Sequence, residues 1–153
     1  MSVRLVRFPV LLLFLLAGCS STPRPLPPGD VLANFALTLQ GTRYRFGGTT
    51  RDGFDCSGLV FYAHQQIGLS VPRTSHDQAK QAEKVKRRKL ERGDLVFFKI
   101  DSRKVNHVGI YIGEHRFVHA PGEGKTVTTD SLDDEFYDDA FSSAGRYWDR
   151  APH

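Results

Sequence analysis

The stretch that decides how this chain folds is Phe54-Asp55-Cys56-Ser57-Gly58-Leu59-Val60, where a polar loop changes into an apolar segment of helical length. Asp55 is a favourable helix N-cap, because its carboxylate can accept hydrogen bonds from the unpaired N–H groups of the first turn. Cys56 then lies in that turn, where free N–H groups and the helix dipole favour an anion. We therefore expect its thiol to ionise more easily than a free cysteine and to act as a nucleophile. The alternative is that Cys56 is an unreactive small residue of the packed core.

Helices are expected on both sides of this stretch, and strands follow them. Asp30 can cap a helix over residues 31–40, the cysteine helix should end at Gly68, and a Ser-x-x-Gln spacing at Ser75 predicts a short helix over 76–82. The β-rich segments come later in the chain, at 95–100, 105–112, 116–120, 126–129 and 146–148. Helices followed by four or five consecutive strands predict an α+β domain, rather than alternating βαβ units.

Composition sets broad limits on the class of protein. The chain has 153 residues, enough for one domain, and its 40% hydrophobic content can form a packed core. Glycine and proline are numerous but show no period, which excludes a collagen-like chain. The net charge of +4 favours anionic polymers in general, such as nucleic acid, lipid headgroups or acidic cell-wall glycans, without choosing among them.

The N-terminal residues have the pattern of a secretory signal. Arg4 and Arg7 precede a short apolar run, residues 8–16, which small residues follow. Leu16-Ala17-Gly18-Cys19 resembles a bacterial lipobox, which implies cleavage before Cys19 and a lipid on its thiol. The expected division is a lipoprotein signal peptide at 1–18, a proline-rich tether at 19–29 and one domain at 30–153. An ordinary signal peptide with an incidental cysteine is the alternative.

The chain has two cysteines, and lipidation of Cys19 would leave Cys56 without a disulfide partner. An unpaired thiol in an oxidising compartment has to be buried or used, which favours the nucleophile interpretation. The competing arrangement, a disulfide between Cys19 and Cys56, requires a chain that is not lipidated.

Two strand histidines complete a candidate catalytic set. Side chains alternate along a strand, so His107, Gly109 and Tyr111 face away from the apolar side that Val108 and its alternating neighbours form. His119, in the next strand, shares that face only if the connection contains a bulge or a three-residue loop that pairs Ile112 with Arg116. With that register, Cys56 is the expected nucleophile, His107 the base and acid, and His119 the group that fixes the imidazole tautomer.

The other charged and imidazole-bearing segments carry no such pattern. His64, His76 and His115 lack a catalytic context, and we expect them on the surface. The basic run at 84–92 is expected to be a solvated connection, although it could hold phosphate or glycan carboxylates. The acidic segment at 130–139 is expected to be a solvated loop or a short helix.

Six blocks of this sequence resemble the NlpC-type cell-wall cysteine peptidases. The blocks agree in order and spacing over about residues 30–150, and they are Tyr44-Arg45-Phe46-Gly47-Gly48, Asp55-Cys56-Ser57-Gly58-Leu59-Val60, Pro72-Arg73-Thr74-Ser75, Arg92-Gly93-Asp94-Leu95-Val96-Phe97-Phe98, Asn106-His107-Val108-Gly109-Ile110-Tyr111-Ile112-Gly113 and Phe117-Val118-His119-Ala120. With its lipobox and short tether, the chain is most similar to the outer-membrane murein endopeptidase lipoproteins of this family.

The resemblance implies a papain-like fold, in which the cysteine helix packs against an antiparallel sheet of about five strands that carries the histidines. It implies a peptidoglycan substrate, whose stem-peptide or cross-link amide bonds are hydrolysed without a cofactor. Tyr44 would donate its hydroxyl to the oxyanion site beside the Cys56 N–H. Asp55, Ser57 and Arg73 are candidate substrate contacts, and an N-cap role for Asp55 and a structural ion pair for Arg73 are equally open.

Three other interpretations remain open at this point. The chain could be a non-catalytic envelope lipoprotein that binds peptidoglycan or scaffolds hydrolases, and amidases or acyltransferases can use the same residues. Zinc could bind Cys56, His107 and His119, although no metal is expected because the helix-start thiol favours a nucleophile. The expected location is the outer membrane, facing the periplasm, with lipid on Cys19 as the membrane contact. No nucleic acid partner is expected, and neither the identity of a protein adaptor or regulatory protease nor the exact bond can be predicted.

Overall fold

The computed structural model describes residues 24–149. The helices are α1 Pro28–Leu37, α2 Cys56–Gln66, α3 Ser75–Gln81 and α4 Glu135–Ala140, with a 3-10 turn at Arg87–Lys89. The strands are β1 Thr49–Thr50, β2 Gly53–Phe54, β3 Glu83–Val85, β4 Leu95–Phe98, β5 His107–Gly113, β6 Arg116–His119, β7 Thr128–Ser131 and β8 Phe141–Arg146. None of the helices in this part of the chain is long and apolar enough to cross a membrane.

Six of the strands form one sheet in the order β3-β8-β4-β5-β6-β7, and every neighbouring pair is antiparallel. Strands β1 and β2 form a separate small hairpin just before α2. The predicted α+β class is confirmed, with one strand more in the main sheet than the five expected. The additional strand is β3, which lies at the sheet edge and overlaps the basic run.

The sheet is buried on both faces. One face packs against α1 and α2 around Leu32, Leu59 and Ile110. The other face carries a second apolar cluster that includes Phe98 and Phe117. Along β5 the side chains alternate between these clusters, as the sequence predicted, because successive strand residues point to opposite faces.

The hairpin between β5 and β6 meets the predicted register requirement. Its turn has two residues, Glu114 and His115, both with positive φ, and the bulge lies at Ile112. The predicted pairing of Ile112 with Arg116 is wrong in detail, since Gly113 pairs with Arg116 and Ile112 is the extra residue. The consequence is nevertheless the expected one, because Tyr111 pairs with Phe117 and Ile110 with Val118. The next pair in this register sets His119 opposite Gly109.

Arg92 ties this bulge to the first helix. Its guanidinium donates to the carbonyl oxygen of Ile112, to Asp30 Oδ1 at 2.8 Å and to Asn34 Oδ1 at 2.5 Å. The prediction that Asp30 caps α1 is wrong, because the helix begins at Pro28 and Asp30 lies inside its first turn. The helix thus overlaps the end of the predicted tether, while the signal peptide and Cys19 lie outside the described residues.

Helix α3 begins one residue before its predicted start, and Thr74 caps it. The Thr74 Oγ1 atom accepts from the N–H of Asp77 at 3.2 Å. Gln78, predicted to complete a capping box, is instead buried and donates through Nε2 to the carbonyl oxygens of Ser57 and Pro72. This amide therefore holds the cysteine helix against the segment that carries Arg73.

The basic run and the acidic segment contact each other, which the sequence did not predict. Arg87 donates to Asp138 Oδ1 at 2.6 Å and to the carbonyl oxygen of Leu132 at 2.9 Å. The acidic segment contributes the end of β7 and all of α4 except its last residue, Ala140, rather than a loop alone. Together the two segments cover the second apolar cluster.

His64 is fully buried in α2, so its predicted surface position is wrong. Its Nδ1–H donates to the carbonyl oxygen of Val60 at 2.8 Å, and its ring lies edge-on to Tyr147. The Nε2 atom has no hydrogen-bond partner among the described residues. Burial lowers the pKa of His64 to about 4, so the folded protein requires the neutral ring.

Acid should therefore destabilise the fold through His64. An unfolded histidine titrates near 6.5, so the unfolded state binds the additional proton between pH 6.5 and about 4, and stability is lost as the pH falls through that window. Urea unfolding at about pH 7 and about pH 4.5 should show that His64→Leu reduces the acid-induced loss of unfolding free energy by about 2–3 kcal/mol.

His76→Leu is the matched control, because His76 is an exposed histidine on α3. This variant should lose as much stability on acidification as the unmodified protein. An equal acid-induced loss in His64→Leu would contradict the prediction.

Candidate active site

Cys56 is the first residue of α2, as predicted, and Asp55 is its N-cap. Asp55 Oδ1 accepts from the N–H of Gly58 at 2.7 Å, and Oδ2 accepts from the N–H of Gly47 at 2.9 Å. The preceding loop packs so closely on the helix that a Cβ at Gly58 would overlap the carbonyl oxygen of Gly48. One carboxylate therefore fixes both the helix start and the loop beside the thiol.

The three candidate substrate contacts form one hydrogen-bonded group. Arg73 binds Asp55 in a bidentate manner, at 3.0 Å to Oδ1 and 2.6 Å to Oδ2, and donates to Ser57 Oγ at 2.9 Å. Ser57 is buried, whereas 37% of the Arg73 side chain is exposed. The N-cap role of Asp55 and the ion pair of Arg73 are both present, and substrate contact by these residues stays a prediction.

The two strand histidines are buried and in direct contact. His107 Nε2 lies 2.7 Å from His119 Nδ1, and the rings are nearly perpendicular. The bulged hairpin sets His119 opposite Gly109, two residues from His107 on the same face. A Cβ at Gly109 would overlap the ring of Phe117, so glycine leaves the space in which the aromatic residues of this face pack.

The thiol lies beside the start of β5. Cys56 Sγ is 3.9 Å from the carbonyl oxygen of Asn106, and the backbone N–H of Val108 also interacts with the sulfur. These residues flank His107 in the chain. Asn106 is itself fixed, since its amide exchanges two hydrogen bonds with the backbone of Ile100, at 2.9 and 2.8 Å.

The expected easy ionisation of Cys56 is wrong. Burial and the negative charge of Asp55 raise the pKa of the thiol, and they outweigh the backbone N–H groups of Val108, Ser57 and Cys56 itself, which lower it. The helix-start effect is present, but the N-cap that creates the helix start also places a carboxylate next to the sulfur.

Both imidazoles are likewise held neutral. Burial and the neighbouring His119 lower the pKa of His107 to about 3. Burial also lowers the pKa of His119, against the opposing effect of Asp130. The resting site at neutral pH is therefore a neutral thiol beside a neutral imidazole pair, rather than a preformed ion pair.

Tyr44 lies in the segment that precedes the β1–β2 hairpin and α2. Its backbone forms a bridge with Phe54, and its side chain packs against the same core cluster that Cys56 contacts. Burial, followed by the charges of Cys56, Asp55 and Glu123, raises the pKa of Tyr44. The phenol thus keeps its proton at neutral pH and can donate a hydrogen bond.

Two polar residues behind His119 were not predicted. Asp130 Oδ2 lies 2.8 Å from His119 Nε2, and the Tyr137 hydroxyl donates to the same oxygen at 3.3 Å. Both belong to the acidic segment at 130–139, which was expected to be a solvated loop or a short helix. The signal that could have located Asp130 is strand register, because β7 pairs Asp130 with Phe117, two residues before His119.

The remaining histidines lie elsewhere. His115 is exposed in the hairpin turn, where Nδ1 is 2.9 Å from Asp133 Oδ1, and His76 is exposed on α3, so both surface predictions are confirmed. Within residues 24–149, no group of three histidine, cysteine or acidic side chains is arranged to hold a metal ion.

The NlpC/P60 family pattern matches residues 41–146. The probable endopeptidase NlpC of Escherichia coli K12 is 38% identical over 92% of this chain and 99% of its own length. A probable endopeptidase NlpC homolog of Haemophilus influenzae is 41% identical, over 77% of this chain and 63% of that protein. Murein DD-endopeptidase MepH of Escherichia coli K12 is 37% identical, over 76% and 45%.

A solved structure of an NlpC/P60 family protein has a similar fold. The crystal structure of an NlpC/P60 family protein from Bacillus cereus superposes with a TM-score of 0.76 at 33% identity, over 82% of this chain and 41% of that one. The chain belongs to the NlpC/P60 family, and the papain-like arrangement implied by the resemblance is confirmed. It spans only 38–63% of the length of four of the curated relatives that it matches.

The neutral resting state predicts how the thiol reacts with an alkylating reagent. Because the pKa of Cys56 is raised and the His107 ring is neutral, little thiolate exists at neutral pH. In a Cys19→Ser variant, where Cys56 is the single cysteine, the iodoacetamide rate should rise about tenfold per pH unit up to at least about pH 9.

Free cysteine measured in parallel is the reference, and its rate should level off first. A rate for Cys56 that is fast and independent of pH between about pH 5 and 7 would contradict the prediction, since it would indicate a preformed thiolate–imidazolium pair.

Proposed function

We propose that this protein is a peptidoglycan hydrolase that cleaves stem-peptide or cross-link amide bonds through Cys56, His107 and His119. The observation that carries the proposal is the buried imidazole pair, joined at 2.7 Å, next to a helix-start thiol that contacts the residues flanking His107. This arrangement contains a nucleophile, a base and a group that orients the base.

The first half of the reaction forms a thioester. As Cys56 Sγ attacks the amide carbonyl carbon, its proton passes to the free nitrogen of His107, because neither group is ionised beforehand. The C–S bond forms, and negative charge develops on the carbonyl oxygen. The His107 imidazolium then gives its proton to the leaving nitrogen, and the C–N bond breaks.

The Cys56 N–H and the Tyr44 hydroxyl are the proposed donors to the developing oxyanion. Donors of this kind contribute about 3–4 kcal/mol each to transition-state stabilisation. In the second half of the reaction, His107 takes a proton from water, which attacks the thioester carbonyl. The C–S bond breaks, the acid product leaves, and the proton returns to the thiol.

The substrate class rests on the relatives and on their common family. MepH is named a murein DD-endopeptidase, and a Bacillus cereus relative, 34% identical, is named a gamma-D-glutamyl-L-lysine dipeptidyl-peptidase. Both names describe peptidases, and the first names murein as the substrate. In the group formed by Asp55, Ser57 and Arg73, the Arg73 side chain is 37% exposed and is the member that a substrate beside the nucleophile could reach.

Digestion of purified sacculi tests the proposal directly. The unmodified protein should release shortened or uncross-linked muropeptides, whereas Cys56→Ala and His107→Ala should each lose at least on the order of 10³-fold in rate, because a catalytic set acts as a unit. Mass spectrometry of the released products identifies the bond that is cut and separates endopeptidase from amidase or transferase chemistry.

His115→Ala is the matched control, since it removes an exposed histidine from the hairpin turn. It should digest sacculi at the unmodified rate. Digestion by Cys56→Ala at that same rate would refute the thiol mechanism, and sacculus binding without any product would support a binding protein instead.

We also propose that the chain is a lipoprotein of the bacterial outer membrane, attached through Cys19 and facing the periplasm. The support is the order of residues 4–19, in which basic residues, an apolar run and Leu16-Ala17-Gly18-Cys19 follow one another. A short proline-rich tether would keep the domain close to the membrane, at about 3 Å of reach per residue.

Metabolic labelling tests this location. Cells supplied with radioactive palmitate should label the protein, and the label should sediment with outer-membrane vesicles. Cys19→Ser should remove the label and the sedimentation, while Cys56→Ser should retain both. Label that persists in Cys19→Ser would refute the proposed attachment.

A further inference from the structure

Asp130 is the one carboxylate that the described structure places against the imidazole pair. It lies in β7, in register with Phe117 of β6, and its Oδ2 atom is 2.8 Å from His119 Nε2. The His119 side chain is fully buried, whereas 40% of the Asp130 side chain is exposed. An imidazole N–H donates to a carboxylate oxygen, so His119 Nε2–H is the donor of this contact and Asp130 Oδ2 is its acceptor.

This contact determines where each proton lies. His119 must carry its proton on Nε2 to donate to Asp130, which leaves Nδ1 of the neutral ring as an acceptor. His107 Nε2, 2.7 Å from that acceptor, must then carry a proton. In a neutral imidazole the second nitrogen is therefore unprotonated, and for His107 this is Nδ1.

We propose that Asp130 is a positioning residue that acts through His119 to hold His107 in the tautomer whose Nδ1 can accept a proton. The inference rests on the proposed function, because it assigns the atom that takes the proton of Cys56. Without Asp130, the proton of His119 could lie on Nδ1, the nitrogen that faces His107. His107 Nε2 would then not have to carry a proton, and the tautomer of His107 would no longer be fixed.

The surroundings of the carboxylate fit this role. The Tyr137 hydroxyl donates to the same Oδ2 atom at 3.3 Å, and its ring stands edge-on to His119 and to Phe117. Burial and the Asp130 charge raise the pKa of Tyr137, so it remains a donor. Lys125 is the other charged group near His119, and its charge opposes protonation of that ring.

The chain offers a sharp pair of variants. Asp130→Asn keeps an oxygen that accepts from His119 Nε2 and removes the charge, whereas Asp130→Ala removes the acceptor. On purified muropeptides, Asp130→Ala should lower kcat by at least about tenfold with little change in KM, since a correctly protonated general base contributes about 10²–10⁴-fold. Asp130→Asn should stay within about threefold of the unmodified protein.

Asp133→Ala is the matched control. It removes an acidic residue three positions away that pairs with the exposed His115, and it should leave kcat unchanged. Equal losses in Asp130→Asn and Asp130→Ala would overturn the inference, because they would show that the acceptor oxygen does not matter. Full activity in Asp130→Ala would also overturn it.

A second measurement does not depend on catalysis. In the unmodified protein labelled with ¹⁵N-histidine, NMR at about pH 7 should show a protonated Nε2 and an unprotonated Nδ1 for both His107 and His119. Asp130→Asn should retain this pattern, and Asp130→Ala should shift His107 toward a mixture of tautomers. A protonated Nδ1 on His107 in the unmodified protein would refute the inference. Failure to digest peptidoglycan with the predicted tautomers present would refute the proposed function alone.

Discussion

The hydrogen bond between His107 Nε2 and His119 Nδ1 depends on a single extra residue in a hairpin. Side chains alternate along strands, so a slip of one residue would turn His119 to the opposite face of the sheet. The bulge at Ile112 prevents that slip and allows a tight two-residue turn of the kind that matches strand twist. Arg92 binds the carbonyl oxygen of Ile112 and two side chains of α1, so the helix layer helps to hold the strand register.

The start of α2 likewise depends on a single residue, Asp55. Asp55 caps the helix, holds Gly47 of the preceding loop and pairs with Arg73, all with one carboxylate. The same charge raises the pKa of Cys56, so the group that positions the nucleophile also opposes its ionisation. Proton transfer to His107 during the attack resolves this conflict, because the thiolate need not exist in the resting protein.

The sequence predicts the features that depend on patterns of neighbouring residues. The helix start at Cys56, the face shared by His107 and Tyr111, and the need for a bulge all follow from capping and alternation over a few residues. The roles of Asp130 and Arg92 could not be predicted, because they depend on which strands are neighbours and on side chains far apart in the chain. His64 was misplaced for a related reason: its ring packs against Tyr147, which is far away in the chain, and a lone polar residue in a helix gives no sign of burial.

The neutral resting thiol makes Cys56 less sensitive to oxidation in the periplasm, the location proposed above. Oxidation of cysteine follows thiolate character and exposure, so a half-buried thiol with a raised pKa is poorly oxidised when no substrate is bound. Cys56 becomes reactive only during the attack, when His107 takes its proton and the oxyanion donors stabilise the charge on the carbonyl oxygen. Asp130 matters at that moment, because a His107 ring with its proton on the wrong nitrogen could not accept the proton of Cys56. The acidic strand end beyond the catalytic set is thus coupled, through two imidazoles, to the reactivity of a thiol on another layer of the fold.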